Sequence, residues 1–315
     1  MTIDPRHLAN LLAVVRHGSF NRAAAARGLS QPALSNSVAM LERKLNARVM
    51  DRTRRGSTLT EIGSILARRA LTLESLLAQI EEEVRLKGLG IEGPLTVGAT
   101  TSAMLRLIPD TMDALLDRHP KISISIIEGL DDQLVPRLQA GEIDILVCPV
   151  MGLYPAPAGI TEETLFKDTF SIGVGPHHRL ARRKSVKLAE LAGEAWVLPS
   201  QNSSYRRHLE AIFISAGAPW PSDRISTSSM ALVESIVTHT DRITIISRLQ
   251  AANRKRGGLV SVPLEGGGGR MIGIKRRAES EIAPIARDFI ACLREACRTF
   301  QTSADYPRDV EKAAS

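Results

Sequence analysis

Several side chains on one face of a predicted helix have the chemistry needed to read DNA base pairs. Gln31 and Asn36 carry amides that can pair bidentately with adenine, while Ser35 is small enough to let the backbone approach closely. Ala39 and Arg43 continue the same face at three- and four-residue steps. The face is short and polar, which suits a helix that enters a major groove.

Two short helices joined by a tight turn are predicted to hold this face in position. Ser19 caps a first helix, Phe20 to Arg27, whose four consecutive alanines have high helix propensity. Ser30 caps a second helix, Gln31 to about Leu45, with Pro32 in its first turn. The apolar side of the second helix is predicted to face inward and consists of Ala33, Leu34, Val38, Leu41 and Leu45.

An arginine-rich hairpin is predicted to follow the second helix. Val49 and Met50 are typical of one strand, residues 58–60 of the return strand, and residues 54–57 of the turn between them. The arginines of this hairpin would lie on a wing beside DNA phosphates, and they are Arg52, Arg54 and Arg55.

The positive charge of the chain is concentrated in this head. Residues 1–70 hold twelve Lys or Arg against four Asp or Glu, whereas the whole chain has a net charge of only +7. The remainder is therefore close to neutral, which indicates a polyanionic partner for the head alone. A basic run is most often a solvated surface, but here the charge coincides with the helix-turn-helix.

Residues 18–63 carry a resemblance to a known family through the run GSFNRAAAARGLSQPALSNSVAMLERKLNARVMDRTRRGSTLTEIG. This run is similar to the winged helix-turn-helix of LysR-type transcriptional regulators, and the rest of the chain has that family's length and order. The family usually has an aromatic residue where Met50 stands, and Met fills a similar apolar volume. The resemblance implies base contacts from Gln31, Pro32, Ser35 and Asn36, and backbone contacts from Arg22, Arg52 and Arg54. Ser30 and Arg55 complete the predicted DNA-binding set.

Thr60 is predicted to cap a long helix that continues to about Leu89. A helix of about 29 residues is about 44 Å long, which is too long to be covered by the small head. We therefore expect a homodimer through residues 61–89; packing on the chain's own later domain is the alternative. The resemblance favours a dimerisation helix and implies a homotetramer. The apolar residues that recur near a seven-residue repeat are Ile62, Leu66, Leu73, Leu76, Leu77, Ile80 and Val84.

A glycine-rich linker, residues 87–94, precedes a region in which predicted strands and helices alternate. The alternation predicts right-handed crossovers and a parallel sheet with covered faces. We expect this region to form two α/β lobes, with the chain crossing between them near residues 162–168 and 264–270. The resemblance implies a bilobal periplasmic-binding-protein-like effector domain. The fold expected is thus α/β with an all-α, winged helix-turn-helix head, and its parts are the head at 1–60, the dimerisation helix and hinge at 61–93, the effector-binding domain at 94–302 and a tail at 303–315.

Polar residues follow one predicted strand in each lobe, at the position where open α/β sheets bind ligands. Residues 100–102 follow the first strand, and residues 199–203 follow a strand of the second lobe. The resemblance places these segments across one cleft, joined by Pro149 and Val150. Ser102 and Ser203 could equally be helix caps. The predicted effector-binding set is Thr100, Thr101, Ser102, Pro149, Val150, Ser200, Gln201 and Asn202.

Other chemistry has little support in the sequence. The three cysteines, Cys148, Cys292 and Cys297, form no CxxC, and the last two point about 140° apart on one helix, which argues against a disulfide. His177 and His178 lack a partner at metal-ligand spacing and are interpreted as a solvated pair. We find no catalytic triad, acidic pair, nucleophile elbow or phosphate loop. We therefore predict no enzyme activity, no metal and no cofactor.

The function predicted from these observations is sequence-specific transcription regulation through double-stranded DNA, modulated by a small-molecule effector of unknown identity. No run of about 18 apolar residues is present, so no membrane span is expected. The segment from Leu8 to Val15 is interpreted as a helix of the head rather than as a signal peptide, and the cytoplasm is the expected location. A solute-binding protein would explain the lobes but not the basic head. An architectural DNA-binding protein would explain only the head.

Overall fold

Two compact units make up the chain in the computed structural model, which describes residues 3–53, 56–150, 156–200, 204–251, 258–278 and 282–303. The first unit is Met1–Leu89 with Gln139–Glu142, and the second unit is the remainder of the chain. Within the described ranges, no helix is both long enough and apolar enough to cross a membrane.

The first unit is a helical head followed by a two-stranded hairpin and a long helix. Ser19, Ser30 and Thr60 each accept a hydrogen bond from the backbone amide three residues later, as expected of N-caps. The predicted helix-turn-helix, wing and long helix are all present and are confirmed by the elements that follow. The elements are α1 (Pro5–His17), α2 (Phe20–Ala26), α3 (Gln31–Leu45), β1 (Met50–Thr53), β2 (Gly56–Leu59) and α4 (Glu61–Gly88).

Details of the head differ from the sequence prediction in two places. Ala33, predicted to face inward, is exposed, whereas Ser37 is buried and its hydroxyl accepts a hydrogen bond from Asn10. Gly56 and Ser57, predicted as part of the turn, belong to β2, which pairs antiparallel with β1. The return strand therefore begins earlier than the pattern of turn-forming residues indicated.

The long helix α4 leaves a row of apolar residues exposed on the described chain. We call this row the α4 stripe, and its members are Ile62, Leu76, Leu77, Ile80 and Val84. Between 45% and 70% of the surface of each residue is exposed. Five of the seven apolar residues that the sequence predicted for this face are therefore exposed. Leu66 and Leu73 are half-buried instead, and Leu66 packs against the core of the head.

The second unit contains an eight-stranded sheet and a separate strand pair, with helices packed around them. The elements are β3 (Glu92–Ala99), α5 (Thr101–Leu105), α6 (Leu107–Arg118), β4 (Ile122–Glu128), α7 (Asp131–Ala140), β5 (Ile145–Val150), β6 (Ile160–Val174), β7 (Val186–Lys187), β8 (Trp196–Leu198), α8 (Ser204–Ser215), β9 (Arg224–Ser226), α9 (Met230–His239), β10 (Thr244–Ser247), α10 (Arg248–Ala251), β11 (Val260–Glu265), β12 (Gly269–Arg277) and α11 (Pro284–Thr302). The strand order of the large sheet is β4-β3-β5-β12-β6-β11-β7, and β10 also pairs with β6.

The expectation of a parallel sheet is wrong for the strands that join the two lobes. β3 pairs in parallel with β4 and β5, but β12 pairs antiparallel with both β5 and β6. The chain leaves the first lobe along β6 and returns along β12, so these neighbouring strands run in opposite directions. Each lobe has its own apolar core, one built around α6 and α11 and the other around β6, β8 and α8.

Two further local expectations are corrected by the second unit. The helix predicted from Met104 to Arg118 is divided at Arg106 into α5 and α6. His178 is buried rather than solvated, and its Nδ1 accepts a hydrogen bond of 3.1 Å from the Leu180 amide. The linker after α4 is also shorter than predicted, since β3 already begins at Glu92.

Candidate DNA interface and ligand cleft

The first turns of α3 present the polar side chains that the sequence marked for base recognition. Gln31, Pro32 and Asn36 are exposed, and Ser35 is half-buried beside them. Ser30 is exposed and caps the helix by accepting from the Ala33 amide at 3.3 Å. These residues thus lie together on one accessible surface.

A buried polar network fixes α3 against α1. The Ser37 hydroxyl accepts a hydrogen bond from Asn10 Nδ2 at 2.8 Å and lies 2.7 Å from His7 Nδ1. Arg27, which follows α2, donates through Nε to Asn10 Oδ1 at 3.2 Å. Buried polar groups of this kind tolerate few alternative arrangements, because each one loses its partner if the helices shift. The sequence analysis did not predict this network. The one local indication of it is Ser37, a polar residue among the apolar residues on the inner side of α3.

The wing is connected to α3 and α4 through short contacts. Glu42 of α3 accepts hydrogen bonds from the backbone amides of Val49, at 2.9 Å, and Met50, at 3.3 Å. Gly63 of α4 packs so closely on the carbonyl of Val49 that a Cβ atom at this position would collide with it. Both contacts therefore fix the start of the wing, at Val49 and Met50.

The predicted phosphate-binding arginines are only partly described by the structure. Arg22 lies exposed on α2. The backbone of Arg52 lies in β1, opposite Ser57. Arg54 and Arg55 lie outside the described residues.

In the second unit, the three hydroxyl residues after β3 have different surroundings. The Thr100 hydroxyl is buried and has no hydrogen-bond partner among the described residues. Thr101 donates to Glu128 Oε1 at 2.7 Å, and Ser102 accepts from Arg270 Nη2 at 2.8 Å. Ser102 lies inside α5 and Thr100 makes no side-chain cap bond, so the alternative that Ser102 caps this helix is wrong.

The other predicted effector residues lie beside the crossing strands or outside the described chain. Pro149 and Val150 end β5 and pair with Ile272 and Met271 of β12. Ser200 is half-buried after β8. Gln201, Asn202 and Ser203 fall outside the described residues.

An ion pair that sequence reasoning missed lies where the two lobes meet. Asp168 of β6 is fully buried, and its Oδ2 lies 3.5 Å from Arg270 Nη2 at the start of β12. Its Oδ1 accepts a hydrogen bond of 3.2 Å from the amide of Leu249 in α10. Burial raises the pKa of Asp168, while the Arg270 guanidinium opposes this rise. Arg270 therefore connects a hydroxyl of the first lobe to a buried carboxyl between the lobes.

Aromatic side chains of the second lobe lie against the same guanidinium. The Arg270 Cζ atom lies 5.0 Å from the ring centroid of Tyr205 and 5.7 Å from that of Phe170. His208 packs on Phe170, with ring centroids 5.5 Å apart, and its Nε2 has no hydrogen-bond partner among the described residues. Burial, and to a smaller extent Arg270, lowers the pKa of His208. The imidazole therefore favours its neutral form.

Both units of the chain match the models of known protein families. Residues 5–64 match the bacterial regulatory helix-turn-helix proteins of the lysR family, and residues 89–298 match the LysR substrate binding domain. The chain belongs to the LysR family. Both matches agree with the resemblance read from the head and with the order of the two units.

Characterised LysR regulators are similar to the chain over most of its length. The DNA-binding transcriptional dual regulator OxyR of Escherichia coli K12 is 27% identical over 259 residues, which is 82% of this chain and 84% of OxyR. The HTH-type transcriptional regulator GbpR of Rhizobium radiobacter is 28% identical over 245 residues, covering 77% of this chain and 80% of GbpR.

Solved structures of LysR regulators share the fold. Full-length CbnR in complex with its target DNA has a TM-score of 0.64 at 21% identity and covers 93% of this chain and 100% of its own. A full-length OxyR variant from Pseudomonas aeruginosa has the same TM-score and identity and covers 95% of both chains. The protein is therefore a LysR-type DNA-binding transcription regulator with an effector-binding domain, and regulators of this family bind DNA and form oligomers.

Proposed function

We propose that α3 reads base edges through Gln31, Pro32, Ser35 and Asn36, with Ser30 at its start. The arginines at positions 22, 52, 54 and 55 contact the phosphates. The observation that carries this proposal is the exposure of the polar first turns of α3 on a helix fixed from behind by buried hydrogen bonds. Small and amide side chains on such a face can reach base edges in a major groove.

The regulator acts as a homodimer through residues 61–89, and dimers pair into tetramers. The α4 stripe supports the dimer, because exposed apolar residues at helical spacing are buried when two helices pair. A two-fold axis would place two recognition helices in successive grooves. The proposed domains are the head at 1–60, the helix and hinge at 61–93, the effector-binding domain at 94–302 and the tail at 303–315, and the proposed location is the cytoplasm.

A small molecule bound between the two lobes modulates DNA binding or bending. The residues proposed to contact it belong to three segments, 100–102, 149–150 and 200–202. The hydroxyl of Thr100 supports this site, because it is buried and has no hydrogen-bond partner in the described part of the chain. Such a polar group is costly unless a ligand satisfies it. The ligand shifts the regulator between states only by the difference in its affinity for them.

Binding of the full-length protein to its operator, measured over a range of salt concentrations, tests the division between reading and positioning residues. Asn36→Ala should reduce discrimination between the operator and a mismatched site, by about 1–3 kcal/mol. Arg22→Ala should weaken binding to both sequences equally and reduce the salt slope by about 0.9.

Lys187→Ala is the matched control, since it removes one exposed positive charge from β7 in the second unit. It should leave both the affinity for the operator and the salt slope unchanged. If Asn36→Ala and Arg22→Ala lost affinity in the same sequence-independent way, the proposed reading face would be wrong.

A further inference from the structure

Four residues of the first unit come from the middle of the region that matches the LysR substrate binding domain. Residues 139–142 belong to the first unit, although the residues before and after them belong to the second. We call these four residues the α7 turn, because they end α7 and precede β5. Gly141 has a φ of +80°, the left-handed conformation that ends many helices. Ala140 and Gly141 are buried, whereas a connecting turn usually lies exposed at the surface.

Two side chains of α4 contact the backbone of the α7 turn. Gln79 Nε2 donates a hydrogen bond of 3.3 Å to the carbonyl of Gly141. The hydroxyl of Thr72 lies 3.3 Å from the carbonyl of Gln139. That hydroxyl has one proton and also lies 3.2 Å from the Arg68 carbonyl of its own helix, so the bond from Gln79 is the firmer of the two.

The α7 turn contacts a face of α4 that differs from the α4 stripe. Thr72 and Gln79 are seven residues apart and therefore lie on one face of the helix. Ile80, in the middle of the stripe, is about 100° further around the axis than Gln79. The turn thus leaves the stripe free to form the proposed dimer. The same stretch of α4 also contacts the head, because Glu74 forms an ion pair with Arg16 of α1.

The base of the α7 turn is attached to β12 through one guanidinium. Arg277 Nη1 donates to the carbonyl of Leu138 at 3.0 Å and to that of Ile143 at 2.8 Å. These two residues flank the turn, so Arg277 holds both of its sides. Asp144 Oδ1 lies 3.7 Å from Arg277 Nη2. Because β12 begins at Gly269, where the lobes meet, and ends at Arg277, one strand joins the lobe junction to the base of the turn.

We propose that the α7 turn binds α4 in one regulatory state and releases it in the other, so that the effector-binding domain acts on the head through this contact. This inference rests on the proposed function, because it names the contact that carries the effect of the ligand. A shift of β12 moves the turn with it, since Arg277 holds the base of the turn. One firm hydrogen bond holds the turn to α4, and such a bond can be made and broken at little cost.

The coupling must be reciprocal, so DNA bound to the head should in turn act on the α7 turn, and the test needs no effector. Amide hydrogen exchange of the full-length protein is measured by mass spectrometry with and without operator DNA. We expect the operator to change the exchange rate of a peptide that covers residues 138–146.

Gln79→Ala removes the anchor of the turn and should keep the Tm of the wild type, because alanine favours a helix. Without DNA, exchange in the peptide should become about 2- to 10-fold faster, as expected for the loss of one hydrogen bond that opposes local opening. The response to operator DNA should be lost, since the turn is already released.

Glu81→Ala is the matched control, because Glu81 is exposed on the same helix and lies about 160° from Gln79 around the axis. It should respond to the operator like the wild type. Arg277→Lys is a second variant, which keeps the positive charge but loses the rigid fork that reaches both carbonyls. It should also speed exchange in the peptide and weaken the response.

Two results would overturn the proposal: operator DNA leaves exchange of the peptide unchanged in the wild type, or Gln79→Ala retains the full response. The operator affinities of Asn36→Ala and Arg22→Ala test DNA recognition separately. The proposed reading face can therefore stand when the contact of the α7 turn with α4 proves to have no regulatory role.

Discussion

Substituting Ile80 with glutamate should separate the proposed dimer into single chains. Ile80 lies in the α4 stripe between Leu76, Leu77 and Val84, and 48% of its surface is exposed on the isolated chain. A carboxylate at this position would lie in the seam between two paired helices. Association would then no longer bury an apolar side chain there and would remove a charged carboxylate from water, which is costly.

The size of the effect follows from the exposed fraction of Ile80. Burying a fully exposed Ile side chain contributes about 1.5–3 kcal/mol. About half of this, ~0.7–1.5 kcal/mol, is available at Ile80 in each copy. Both copies lose it in a symmetric dimer, so Ile80→Glu should cost about 1.5–3 kcal/mol per dimer. The dissociation constant should rise about 10- to 150-fold from lost burial alone.

Sedimentation equilibrium of the full-length protein over a range of concentrations measures this change directly. Ala78→Glu is the matched control, because Ala78 is exposed on the same helix but lies about 160° from Ile80 around its axis. The control should associate like the wild type. Equal association of wild type and Ile80→Glu would show that the stripe is not the dimer seam, and the argument from exposed apolar spacing would fail.

Three further predictions concern packing and thiol chemistry. Gly63→Ala should lower the Tm and weaken operator binding, because the added Cβ would collide with the Val49 carbonyl. The expected loss of folding stability is about 1–3 kcal/mol. Gly88→Ala is the control and should change neither property, because its Cβ would meet open space. Ser37→Ala should destabilise the head by about 1–3 kcal/mol, measured by denaturant unfolding, because it leaves the Asn10 amide buried without its acceptor. Thiol titration of the native protein should be slow, and hydrogen peroxide should leave operator binding unchanged, unlike in a peroxide-regulated protein. Burial raises the pKa of Cys148 and Cys297 to about 12 and also raises that of Cys292, so the reactive thiolate is scarce at neutral pH. Rapid reaction of any of the three would contradict this.

The sequence predicted the head better than the ligand cleft, for a physical reason. Caps such as Ser30 and Thr60, and the spacing of apolar residues on α3 and α4, act within a few residues and are visible in a single segment. His178 shows the limit of local reading. It lies in the polar run PHHRLARRK, yet tertiary packing of the second lobe buries it.

The pairing of Asp168 with Arg270 could not be read from the sequence for a related reason. The two residues are far apart along the chain and meet only because β6 and β12 are neighbours in the sheet. The periodicity of a sequence predicts where strands lie but not which strands pair or in which direction. For the same reason the sequence alone predicts a parallel sheet where the structure has antiparallel strands. The break at Arg106 was likewise invisible, since Leu105 and Leu107 suit a continuous helix.

The route of β12 has a consequence for synthesis of the protein on the ribosome. Cys148 of β5 lies opposite Gly273 of β12 in the sheet. The core of the first lobe is completed only by Phe289 and Phe300 of α11. The lobe translated first is therefore the last to close, and until then the nascent chain carries an open strand edge that can pair wrongly. A transcript cut short before α11 would leave that lobe unfinished even though the second lobe had been translated in full. Because the proposed ligand needs both lobes, premature termination would remove ligand sensing as a whole rather than half of it.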